Sequence, residues 1–215
     1  GSEFATISSY IRVTDGFHTV TVRRTNGQIY YQQTIAFVSG ERLTMVILDT
    51  VSGVSLTRVS DMGCTNVPAG YGCLRVANMS YAGSSYDVRT FNNQTAFAGI
   101  GYKEVTSYKQ TSSGTYTFFV TGSQYAVSAL GELPVLVLSS IVGVSCPTCT
   151  VANPLLTFNV NVRAGRAYTC YIIGNPWSGL FRAYVSRRTG AGNASLLFFP
   201  DAAGKKIQVR EKGVL

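Results

Sequence analysis

The chain has 215 residues, of which 46% are hydrophobic and only 13% charged, with a net charge of +8. That balance, rich in Tyr, Thr, Val, Ser and Gly, excludes a disordered chain and suits ordered β-rich units, each long enough to bury its own core. The positive charge favours anionic partners, acidic glycans and cell walls included, but the basic pairs Arg23-Arg24, Arg187-Arg188 and Lys205-Lys206 do not interleave with aromatics, which argues against nucleic acid.

The leading Gly1-Ser2-Glu3-Phe4 reads as a cloning scar, so the native sequence is expected to begin near Ala5. A chain cloned behind a scar normally omits its secretory signal, and the lack of one here does not argue for the cytoplasm. Period-two alternation then dominates, and no window carries a helical apolar stripe. Strands are expected at 8–13, 17–24, 29–37, 42–48 and 55–59. A turn-rich connector covers 61–72. Further strands follow at 74–79, 86–91, 96–100, 104–109, 116–120, 155–162, 167–173 and 181–186, with Gly and Ser marking the turns. A second connector, 189–194, leads to strands at 196–199 and 206–211. The most apolar stretch, 133–144, is too short to span a bilayer.

The strand pattern repeats, in rotated order. Ser9-Tyr10 and residues 15–22 match Ser107-Tyr108 and 113–120 at an offset of 98; residues 37–48 match 162–173 at an offset of 125. The difference, 125 − 98 = 27 residues, is an insertion in the second copy near 123–150. Residues 82–89 match 203–210 at an offset of 121, so the front strands of the second unit have their counterparts at the C-terminus. Such self-similarity decides domain organisation before any local motif does.

The expectation is therefore all-β: two antiparallel, immunoglobulin-like β-sandwich domains lacking the immunoglobulin Cys and Trp hallmarks. The first comprises 5–60 plus 195–215, and the second 73–188. Leu196, Phe198, Ile207 and Val209 on the C-terminal strands are the candidate assembly residues. At about 3.3 Å per extended residue the second connector reaches about 25 Å. That length allows the strands to complete their own chain or a neighbour's, according to whether the second unit starts and ends at the same pole. A segment cut from a longer tandem array would show the same rotated order.

Five cysteines leave at least one unpaired. Cys170 matches Met45 in the repeat and is expected in a core. Cys64 and Cys73 bracket the first connector and are a candidate disulfide. Cys146 and Cys149 form a C-x-x-C without the context of a redox motif or a zinc site, and are read as a small loop disulfide of a secreted protein. Asn78, Asn93 and Asn193 head N-x-S/T triplets and are candidate glycosylation sites.

The C-terminal residues Phe199-Pro200-Asp201-Ala202-Ala203, Ile207-Gln208-Val209 and Lys212-Gly213-Val214-Leu215 resemble a motif of the form V-R-V-x-x-x-S-P-D-A-P-x-V-D-V-Y-V-N-G. The second copy, Leu74 to Ala82 with Tyr86-Asp87-Val88, keeps the strands without the Pro-Asp. Gly114 to Val120 and Ala164 to Thr169 are similar to the same family's G-T-Y-T-x-x-V and A-G-x-x-Y-T strands. The family consists of secreted and cell-surface β-sandwich domains of unknown function, often in tandem. The resemblance implies a sandwich fold and an extracellular setting, and no activity.

With one His and ten carboxylates, no nucleophile, base and metal set emerges, and no phosphate loop or EF-hand spacing occurs. His18 alternates with apolar strand residues, while Asp15 and Asp201 sit beside turns where Asp bonds local backbone. Of the neighbouring Tyr30 and Tyr31, one is expected in the core, because adjacent strand residues face opposite sides. No enzyme, cofactor or metal is expected. The expected function is an extracellular structural or adhesive protein, partnered by copies of itself or neighbouring surface proteins and capable of polymerising by strand exchange. The competing class is a surface module binding an anionic or cell-wall carbohydrate.

Overall fold

A computed structural model describes residues 6–7, 10, 12–24, 26–81, 85–91, 93–123, 153–176, 181–187, 192–199 and 207–213, with the backbone alone at 6–7, 24 and 207–213. Cys146, Cys149, Asp201 and all of the expected insertion beyond Ser123 lie outside the described residues. Every regular element among the described residues is a strand. In chain order these are β1 (Thr6–Ile7), β2 (Gly16–Arg24), β3 (Ile29–Phe37), β4 (Leu43–Thr50), β5 (Gly53–Ser60), β6 (Tyr71–Asn78), β7 (Tyr86–Thr90) and β8 (Thr95–Ile100). They continue with β9 (Lys109–Ser112), β10 (Gly114–Gly122), β11 (Leu156–Val162), β12 (Ala167–Ile173), β13 (Arg182–Ser186), β14 (Ala194–Phe199) and β15 (Ile207–Gly213).

The chain divides into two compact units, Gly1–Met62 with Arg188–Leu215, and Gly63–Arg187. The first holds sheets ordered β1-β14-β4-β5 and β15-β2-β3; the second holds β13-β12-β6-β9 and β11-β10-β7-β8. Most of these ladders correspond, although β8, which pairs with β7, has no counterpart among the described residues of the first unit. Gly16 faces Phe37 as Gly114 faces Val162, and Val22 faces Val209 as Val120 faces Val88. Ile7 pairs with Leu197 in β14, and Val105 makes an isolated bridge to Ala77 in β6. The sequence repeat is thus a repeat of hydrogen-bond register, which alternation of buried and solvated faces specifies strongly.

One ladder in each unit departs from the antiparallel arrangement expected. β14 runs parallel to β4, and β6 runs parallel to β12. Parallel neighbours cannot be joined by a hairpin, and here the connection from β4 to β14 takes in all of the second unit. The first expected strand also differs. Strand pairing is found at Thr6–Ile7, while described residues 10 and 12–14 lie outside any strand. The amide and carbonyl of Val13 are bonded by the Asn193 side chain instead, so its backbone is satisfied without a ladder. The strand expected at 104–109 likewise appears later, as β9, after a stretch where Thr106 bonds the Val76 backbone through both its amide and its hydroxyl.

Each unit buries one core. In the first, Val20, Val22, Ile35 and Phe37 meet Leu43, Met45, Ile47 and Phe198. In the second, Tyr116, Phe118 and Val120 of β10 and Phe158, Val160 and Val162 of β11 meet Tyr168, Cys170 and Ile172 of β12. β11 alternates between buried and exposed residues and β10 between buried and half-buried ones, as sandwich strands with one face toward the core do. At Gly72 the chain passes so close to the turn before β12 that a Cβ would lie 2.7 Å from Val162 and 2.8 Å from the Arg163 carbonyl. Only glycine fits there.

Candidate functional site

The site with the strongest claim is the seat of β14 in the first unit. β14 is an interior strand, pairing with β4 along six residues and with the short β1 on its other side. Of the expected assembly residues, Phe198 is 3% exposed and Leu196 packs half-buried against the core. Leu197 and Phe199 are equally buried, and sequence reasoning misses them. Alternation hides them: β14 is covered on both faces, and a strand of that kind reads as an unbroken apolar run, here Leu-Leu-Phe-Phe. Ile207 and Val209 lie on β15, in register with Arg24 and Val22 of β2.

At the root of β14, Asn193 joins three segments. Its Oδ1 accepts from the Val13 amide at 2.7 Å, its Nδ2 donates to the Val13 carbonyl at 2.9 Å, and its own carbonyl accepts from the Leu43 amide at 2.9 Å. It lines an open cleft of about 540 Å³ whose walls include Arg12, Asp15, Glu41 and Arg42. The charges are mixed, and two of them are engaged: Arg58 holds both Glu41 oxygens at 2.9 and 3.0 Å, and the Arg42 guanidinium lies 3.8 Å from the centre of the Tyr10 ring. Tyr10 donates to Asp61 at 2.6 Å, as does Thr44. Burial, followed by that bond to Asp61, holds the Tyr10 phenol well above its ordinary pKa.

The second unit repeats this aromatic and cationic pairing. Tyr108, the counterpart of Tyr10, covers the buried Arg75, whose Nε donates to Thr169 at 2.9 Å. The two tyrosines coincide in the sequence repeat, so the repeat alone marks them as equivalent. Their arginines come from different places, Arg42 from just before β4 and Arg75 from within β6, and the repeat carries no sign of that.

The remaining expected sites separate by environment. Cys64 and Cys73 are joined in a disulfide that ties the connector to β6, and Cys170 is buried, its thiol pushed well up by desolvation. Asn78 is fully buried; its Nδ2 donates to the Ile100 carbonyl and its Oδ1 accepts from Ser80, so a glycan on it is incompatible with the folded unit. Asn193 is committed to Val13. Asn93 is exposed at the tip of the β7–β8 hairpin. His18 contacts the Thr14 carbonyl at 2.7 Å and meets the Phe37 ring edge-on. Tyr30 and Tyr31 both pack against the core, contrary to the expectation of one. The register shift in the β2–β3 ladder places Val22 opposite Tyr31 and Arg23 opposite Ile29, and this bulge at Tyr30 suspends alternation.

The model of one family, described as a domain of unknown function (DUF4397), matches the chain twice, over residues 1–89 and 72–205. The chain belongs to the DUF4397 family. The two DUF4397 segments overlap at 72–89, which takes in most of β6 and of β7, the strands whose positions β14 and β15 take in the first unit. A search of curated proteins finds no significant match. The disulfide fits a secreted or extracellular protein. No helix among the described residues is long and apolar enough to cross a membrane.

Proposed function

We propose that the chain is an extracellular structural protein of the cell surface, and that β14 and β15 are its joint, closing the first unit of their own chain or of a neighbouring copy. The observation that carries this reading is the placement of β14. An interior strand of the first unit is delivered from the far end of the chain, past an entire second unit, into a seat equivalent to that of β6. Strand pairs with equivalent seats are the elements that domain swapping exchanges.

The energetics make completion obligatory. Burying Leu197, Phe198 and Phe199 contributes about 1.5–3 kcal/mol each, a sum on the order of the whole stability of a small domain. A unit without β14 would also leave the inner edge of β4 unpaired, a template for another strand. It unfolds or takes a strand from elsewhere.

Light scattering of the intact chain, against a chain lacking 195–215, tests the proposal. Concentration-dependent oligomers are expected from the intact chain, above all after refolding at high concentration, and none with a folded first unit from the truncated one. A peptide spanning 192–215, added to the truncated chain, is expected to restore the first unit's cooperative unfolding. An intact chain that stays monomeric under all these conditions refutes exchange between copies.

A further inference from the structure

The second unit presents an exposed group that the assembly reading does not use. Tyr81, just beyond β6, and Tyr102, just beyond β8, meet edge to face with ring centres 5.7 Å apart. The Lys103 ammonium stands 5.4 Å from the centre of the Tyr102 ring. Lys103 itself is in the left-handed region at φ 66°. The other non-glycine residues with positive φ among the described residues are Asn66, Asn93 and Asn153. Asn tolerates that region; a long side chain does so at a cost, and such outliers persist where the surroundings over-determine them.

The surroundings are a rigid cradle. The Lys103 amide donates to the Asn78 carbonyl at 2.7 Å, and the Asn78 amide donates to the Glu104 carbonyl at 2.9 Å. The Glu104 carboxylate, itself exposed, accepts from the Gly101 amide at 2.8 Å across the turn. Asn78 is fully buried and bonded through its side chain to Ile100, so the turn is anchored to the core. Lys103 is exposed, and no carboxylate pairs with it among the described residues. The result is a fixed aromatic surface with one cation at its margin.

We propose that Tyr81, Tyr102 and Lys103 bind an acidic sugar, a pyranose bearing a single carboxylate. Tyr81 is exposed and Tyr102 half-buried; a partly exposed aromatic face suits the C–H face of a sugar ring, phenol hydroxyls bond sugar hydroxyls, and one compact ammonium suits one carboxylate. Both phenols are protonated at neutral pH and so can donate as well as accept hydrogen bonds. A nucleic-acid strand would call for a row of cations along a stacking surface, and this site has one.

Calorimetric titration of the full chain with tetragalacturonate, and with its methyl ester, at 0.15 M salt provides the test. The acid is expected to bind, and the ester at least tenfold more weakly. Lys103→Gly suits the left-handed backbone, so its thermal midpoint is expected to equal or exceed that of the parent while its affinity for the acid falls to that for the ester. Lys103→Asn is expected to behave alike. Tyr102→Ala is expected to bind neither. If the parent binds no acid sugar at millimolar concentration, or binds it as well in Lys103→Gly and Tyr102→Ala as in the parent, the site is overturned and any binding belongs to the net charge. Neither outcome bears on the joint at β14 and β15.

Discussion

Replacing Phe198 by Ala measures what β14 contributes to the first unit. The side chain is 3% exposed, lies in the core cluster with Leu43, Met45 and Ile47, and is paired with Ile47 on one side and Thr6 on the other. Phe→Ala at such a site costs about 3–5 kcal/mol, from lost transfer energy and the cavity left behind. In a domain of this size 1 kcal/mol moves the midpoint by about 4–8 °C, so the first unit's transition is expected to fall by at least about 12 °C. Differential scanning calorimetry, with urea unfolding followed by tyrosine fluorescence as a second probe, resolves the effect if the units melt separately. The second unit's transition is expected to stay in place, because its core is built from other residues. A shift below about 1 kcal/mol in the first unit would show that β14 is an accessory strand and would refute the claim that it completes the core. A fall in both transitions together would refute the division of the chain into two separately packed cores.

Four further outcomes follow from the same packing and bonding. Asn193→Ala leaves the Val13 backbone groups without their side-chain partner and is expected to destabilise the first unit by about 1–3 kcal/mol, read in urea. Reduction, or Cys64→Ser with Cys73→Ser, releases a bridge spanning nine positions; loss of about 2–3 kcal/mol is expected in the second unit alone. Because the folded Tyr10 pKa is raised above its unfolded value of about 10, its contribution is complete below that pH and fades as pH rises beyond it. Tyr10→Phe is therefore expected to flatten the first unit's alkaline loss of stability, followed by thermal midpoints from pH 8 upward. Expression through a eukaryotic secretory pathway, followed by peptide mass spectrometry, is expected to find glycan on Asn93 and none on Asn78 in folded material; a glycan on Asn78 would contradict its burial.

The strands are legible in the sequence because their chemistry is local. Alternation at β10 and β11, the Gly and Ser turns, and the repeat at offsets of 98 and 125 all follow from each residue's own preference for a pleated, half-buried surface. The family resemblance rests on that same patterning, and the DUF4397 match covers both copies. The disulfide is legible because Cys64 and Cys73 bracket a turn-rich connector.

Other features depend on residues brought together from far apart in the chain. Asn193 and Val13 are 180 positions apart, and nothing in an Asn-Ala-Ser triplet distinguishes a clamp from a glycan acceptor. β14 lies parallel beside β4, and alternation carries no information about direction. The bulge that turns both Tyr30 and Tyr31 onto the core is a one-residue slip in a ladder. The positive φ of Lys103 accompanies the bond its amide donates to the Asn78 carbonyl and stands against the residue's own preference. The sequence by itself determined an all-β chain with a rotated repeat, because periodicity and turn chemistry act within a few residues. Tertiary structure alone decided which strands meet, in which direction, and which polar side chains are used up holding them, because those outcomes turn on satisfying buried backbone groups across long separations.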